Sequence, residues 1–130
     1  MENPLADLIK EIPIELNDLH RACARQPEMY RRAAQALSEA RAESRRRKLV
    51  LDETKATVDL EIRRAAEMPD APKLTESKCA AMVILDDRVK EATRAYFDAE
   101  QRSDYAASIV AAFDQRRSML GNEVDLYNAN

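Results

Sequence analysis

Apolar and small residues recur at alternating intervals of three and four through two long stretches of this chain. The first runs Tyr30, Ala33, Leu37, Ala40, Ser44, Arg47, Leu51, Thr54, Val58. The second runs Val89, Ala92, Tyr96, Ala99, Ser103, Ala106, Val110, Phe113, Arg117, Leu120. That spacing lines one face of a helix and seats it against a partner helix. Between the two stretches lies a Pro-containing break, so the pattern predicts an all-α fold. Its frame is a long antiparallel helical hairpin with short accessory helices.

Breakers and caps set the expected boundaries. Asn3 suits an N-cap and Pro4 a first helical position, with Leu5, Leu8, Ile9 and Ile12 on one face. N-terminal helices are expected over 4–25, kinked or restarted at Pro13. Gln26-Pro27 is expected to break the chain again, because the residue before a proline is pushed out of helical geometry. The stretch 28–67 holds no Gly or Pro. It predicts one long helix, about 60 Å at ~1.5 Å per residue. Met68-Pro69-Asp70-Ala71-Pro72 reads as a loop, and Thr75 as the N-cap of a short apolar helix, 76–85. Asp86 or Asp87 then caps a last long helix, 87–120. Gly121, the only glycine, is expected to end it in left-handed geometry, leaving 122–130 as a frayed polar tail. The reading is a single helical domain over 1–121.

Composition changes this picture in one respect. The 130 residues are 35% charged and only 5% aromatic, and many stripe positions are Ala, so a monomer's core would be thin. A thin core under a long hairpin favours self-association through the coiled-coil-like faces. Charge is also segregated. The first twenty residues carry a net −4, residues 21–64 a net +5, and the remainder a net −4. A basic centre between acidic ends suits a local polyanion site or contact between subunits.

That centre is a belt: Arg41, Arg45, Arg46, Arg47 and Lys48, with Lys55, Arg63 and Arg64 further along. Arg41, Arg45 and Lys48 fall four and three apart, so they share a helix face that can track a phosphate backbone. Guanidinium forks suit phosphate, and such binding is sequence-tolerant and steeply salt-dependent. The competing reading is internal pairing with Glu39, Glu43, Asp52 and Glu53. Aromatic residues are sparse near the belt, Tyr30 being the nearest on the same helix, which argues against a base-stacking platform. Tyr96, Phe97, Tyr105 and Phe113 are expected in the core or a subunit interface. Leu126 and Tyr127 could pack on a neighbour.

Little else suggests chemistry. His20 is the only histidine, and Cys23 and Cys79 fit no metal spacing, so a structural or exposed His and free thiols are expected. One glycine cannot build a phosphate-cradling loop. Acid pairs such as Asp86-Asp87 read as caps, and no acid–base or nucleophile cluster is present. The expectation is a non-enzymatic, cofactor-free protein. No export signal or apolar span of ~18 residues is apparent, which points to a cytoplasmic location.

Taken in order, several segments resemble the UvsY-type recombination mediators of bacteriophages across most of residues 16–121. They are Gln26-Pro27-Glu28-Met29-Tyr30, the polar basic helix from Glu39 to Leu49, the turn leading to Lys73-Leu74-Thr75-Glu76-Ser77-Lys78, the run Met82 to Val89, and Phe113 to Leu120. The resemblance implies a helical protein that assembles into a ring and binds single-stranded DNA. It further implies that the protein helps a RecA-like recombinase displace single-strand-binding protein, without catalysis. On that reading the belt residues contact phosphates. A protein-only structural or adaptor coiled coil is the alternative, and the same stripes serve it.

Overall fold

A computed structural model of the protein describes residues 4–13 and 18–129, and these form helices joined by short turns, with no strand among them. In chain order the elements are α1 (Pro4–Ile9), α2 (Leu19–Ala66), α3 (Glu76–Leu85) and α4 (Asp87–Ala129). The two long helices, α2 and α4, pack against each other. The chain divides into two compact units, one of Met1–Arg41 with Gln101–Asn130 and one of Ala42–Glu100.

Where a helix end depends on a nearby side chain, the pattern and the structure coincide. Thr75 sits in extended geometry and its hydroxyl accepts the Lys78 N–H at 3.2 Å, starting α3. Asp86 is also extended, and its carboxylate accepts the Arg88 N–H at 2.8 Å. Of the two adjacent acids, Asp86 is therefore the one that caps α4, satisfying an otherwise orphan donor.

Two expected ends are corrected. The break at Gln26-Pro27 does not occur: α2 runs through Pro27 and continues unbroken past Ser44 to Ala66. An interior proline costs a helix about 3 kcal/mol, from the lost N–H and ring crowding. Contacts on either side of Pro27 offset that cost. Gln26 is buried and its Nε2 donates to the Phe113 carbonyl at 2.8 Å, while its Oε1 accepts from Arg116. Met29 and Ala33 lie in the core with Ile109 and Phe113.

The second correction is at Gly121, which is no C-cap. Its φ is not left-handed, and α4 continues over 122–129, where a frayed tail was expected. The apolar face persists beyond it: Leu120 is buried, and Val124, four residues on, lies beside the same cavity as Cys23 and Pro27.

At the other end, α1 is shorter than expected and stops at Ile9. Residues 10–13 turn through bonds from Glu11 N–H to Leu8 and Ile12 N–H to Ile9, so the helix unwinds just before Pro13. The Asn3 cap and the helical reading of 14–17 lie outside the described residues. α2 starts afresh behind Asp18, whose carboxylate accepts the Arg21 N–H at 3.3 Å.

Each unit has its own core. In the first, Leu8 of α1 joins Met29 and Ala33 of α2 and Ile109 and Phe113 of α4. In the second, Leu51 and Val58 of α2 meet Val89 and Ala92 of α4, with Ile62, Val83 and Tyr96 packed around them. In the second core the stripe positions Leu51, Val58, Val89 and Ala92 are buried, though Arg47 is exposed; in the first, Ala33 and Phe113 hold to the stripe and others drift from it. Met29 is buried where Tyr30 was expected, and Arg116 where Arg117 was expected. A straight helix repeats every 3.6 residues and slips against a strict heptad.

Candidate nucleic-acid interface

The belt lies on α2, Arg41 in the first unit and the other seven cations in the second. All eight are exposed, but they divide into two groups. Arg46 and Arg47 both reach back to Glu43, at 2.7 and 2.9 Å. Lys48 pairs with Asp52 at 3.1 Å and sits 5.7 Å over the Tyr96 ring. Arg63 is held by Asp59 at 3.0 Å and by Glu76 of α3 at 2.8 Å. Arg41, Arg45, Lys55 and Arg64 make no ion pair among the described residues. Of the expected acid partners, Glu43 and Asp52 serve the belt. Asp59 and Glu76 join them, whereas among the described residues Glu39 accepts only from Gln35.

The paired groups are pinned in their charged forms. Hydrogen bonds from Arg46 and Arg47 hold the Glu43 carboxyl below its usual range. Bonds from Arg63 lower Glu76, while Cys79 and Arg63 together lower Asp59. Glu76 and Asp59 in turn push the Arg63 guanidinium further up. Shifts in these directions fix charge and do not poise a group to exchange protons near neutrality.

A second feature of the same unit emerges only in three dimensions. Lys55 faces a groove of about 570 Å³ whose other walls include Ile84, Lys90, Thr93, Arg94 and Phe97. Phe97, expected in a core or subunit interface, lies outside both cores of the chain, with 59% of it exposed. Its ring lies 5.9 Å from that of Tyr96, tilted by 45°. Lys55 and Lys90 make no ion pair among the described residues, and Arg94 meets only Glu91, at 3.1 Å. An exposed ring among three cations is the pairing that single strands use: bases stack on the ring while cations meet the backbone.

Sequence reasoning missed Lys90, Arg94 and Phe97. Their spacing of four and three marks a second face of α4, offset from the Val89–Ala92–Tyr96 stripe, and this was the available signal. Lys55 on α2 completes the groove. Among the described residues, no three His, Cys, Asp or Glu side chains gather as a metal site, and no helix is long and apolar enough to cross a membrane. Compared with known proteins, the chain matches no family model, no curated protein and no solved structure.

Proposed function

We propose that this protein is a non-enzymatic binder of single-stranded DNA that acts as a recombination mediator, aiding a RecA-like recombinase on strands covered by single-strand-binding protein. The observation that carries the reading is the groove in which exposed Phe97 stands among Lys55, Lys90 and Arg94. Arg45 and Arg64, which make no ion pair among the described residues, extend positive charge along the same unit. Arg46, Arg47, Lys48 and Arg63 already have carboxylate partners and contribute less, since DNA must compete with those acids. The recombinase and single-strand-binding-protein partners come from the UvsY-type resemblance alone.

Self-association belongs to the same proposal. Met82 and Leu85 of α3 are exposed, as are Leu49 and Leu60 of α2. Burying them between subunits would supply the apolar contact that a thin core lacks. A ring would repeat the groove and turn weak contacts into firm binding.

The belt's internal pairs favour a second reading, a structural or adaptor coiled coil that binds only protein. Fluorescence anisotropy with labelled oligo-dT and a matching duplex, at low and moderate salt, separates the two. Salt-sensitive preference for the single strand, weakened by alanine at Arg45, Arg46 and Arg47 with helicity intact, is the expected result. Absence of binding at low salt would overturn the mediator reading and leave the adaptor.

A further inference from the structure

A second basic site lies in the first unit, apart from the belt. A polar cavity of about 200 Å³ is walled by Lys10 and Glu11 after α1, by Asp18, Arg21 and Arg25 at the start of α2, and by Arg116 of α4. Arg116 is the unusual member. It is only 4% exposed, and its Nε has no hydrogen-bond partner among the described residues. Only its Nη1 is engaged, by the Gln26 Oε1, which is neutral. Among the described residues no carboxylate hydrogen-bonds this buried guanidinium, which is costly; burial pulls its affinity for the proton down, and the charge of nearby Glu11 offsets that only in part.

The two acids of the cavity are already committed. Glu11 pairs with Arg25 at 3.1 Å, and Asp18 caps α2 through the Arg21 N–H. Lys10 and the Arg21 side chain make no ion pair among the described residues. Among the described residues, four cations against two anions leave the walls with a net +2. Organic cofactors usually occupy about 300–1,000 Å³, so this space suits a small ion.

We infer that this cavity binds a phosphate-class dianion, held by Arg116 with Arg21 and Lys10. A tetrahedral oxyanion would match the net charge of the walls and give the buried guanidinium the acceptor it lacks. The ligand could be free phosphate or the terminal phosphate of a nucleic-acid strand, which present the same chemistry.

The test is thermal unfolding of the full chain with increasing inorganic phosphate against sodium chloride at matched ionic strength. A saturable rise in Tm specific to phosphate is expected, because a ligand that binds only the folded state stabilises it. Arg116→Gln should abolish the rise. Because that variant also removes the bond to buried Gln26, exposed Arg21→Ala provides a second arm that leaves the core intact. It should weaken phosphate binding roughly tenfold, the scale of one charge-assisted hydrogen bond. Equal Tm in phosphate and chloride would overturn the inference, as would a phosphate response unchanged in Arg21→Ala. Competition then identifies the source. Displacement of phosphate by 5′-phosphorylated but not 5′-hydroxyl oligo-dT upholds the site as one for strand ends; displacement by neither upholds it as one for free phosphate.

Discussion

Phe97 and the lysines beside it should leave different signatures on DNA binding, and that difference tests the groove. With more than half its surface exposed, Phe97 contributes little to either core, so Phe97→Ala should leave Tm essentially unchanged. If a base stacks on the ring, losing it costs about 1–3 kcal/mol of binding, or roughly 5- to 150-fold. The lysines act through counterion release, in which each phosphate neutralised on a single strand contributes about −0.7 to the slope of log affinity against log salt. Among the described residues Lys55 and Lys90 make no ion pair, whereas Arg94 is shared with Glu91, so the groove should contribute between about −1.4 and −2.1. Lys55→Ala or Lys90→Ala should make the slope shallower by about 0.7, a relative change of about 2.6-fold in affinity between roughly 50 and 200 mM salt. Phe97→Ala should leave the slope alone. Anisotropy titrations of oligo-dT at four or five salt concentrations measure both quantities. Wild-type affinity in Phe97→Ala, or wild-type slopes in both lysine variants, would refute the groove as the contact surface.

Three further outcomes test the fold. Phe113→Ala, at a fully buried position, should cost about 3–5 kcal/mol in urea unfolding, and a loss below 1 would mean that the first core is not packed as described. Pro27→Ala should raise Tm by restoring the N–H that α2 lacks there; a fall would show that the proline fits its site without strain. Arg88 holds the Glu61 carboxyl below its ordinary value of 4.5 through bonds of 2.6 and 3.2 Å. The folded state then binds fewer protons than the unfolded chain, so this contribution is present above pH 4.5 and fades as pH falls through the lower folded value. Glu61→Gln should accordingly narrow its stability gap to wild type on acidification, followed by circular dichroism in urea; a gap constant down to pH 3 would remove the pair from the acid response.

What the sequence made legible was decided by distance along the chain. Thr75 and Asp86 cap helices through groups two or three residues away, so their roles could be read locally. Pro27 could not be read, because Gln26 is anchored to residues 87 and 90 positions away. Gly121 was misjudged for a related reason: Leu120 and Val124, on either side of it, share a cavity with Cys23 and Pro27 of α2, nearly a hundred residues away in sequence. The belt's residue types were plain, but its division into paired and unpaired cations was not. Arg63, for instance, is claimed partly by Glu76 across the turn into α3. Phe97 was hidden because it neighbours the stripe residue Tyr96, and a one-residue offset on a helix turns a side chain by about 100°.

The two cysteines differ in a way that gives the molecule a built-in reporter. Cys79 is buried, and its thiol donates to Asp59 at 3.2 Å. The hydrogen bond and the adjoining carboxylates push the thiol up, so little thiolate is available. Cys23 is half-buried and lies at a cavity of about 610 Å³ that also includes Tyr30 and Leu120. A thiol reagent applied to native protein therefore marks the first unit, and the second cysteine joins only when the contact between Asp59 and α3 opens. Timed alkylation read by mass spectrometry would follow that opening residue by residue, in the unaltered chain and with or without added oligo-dT.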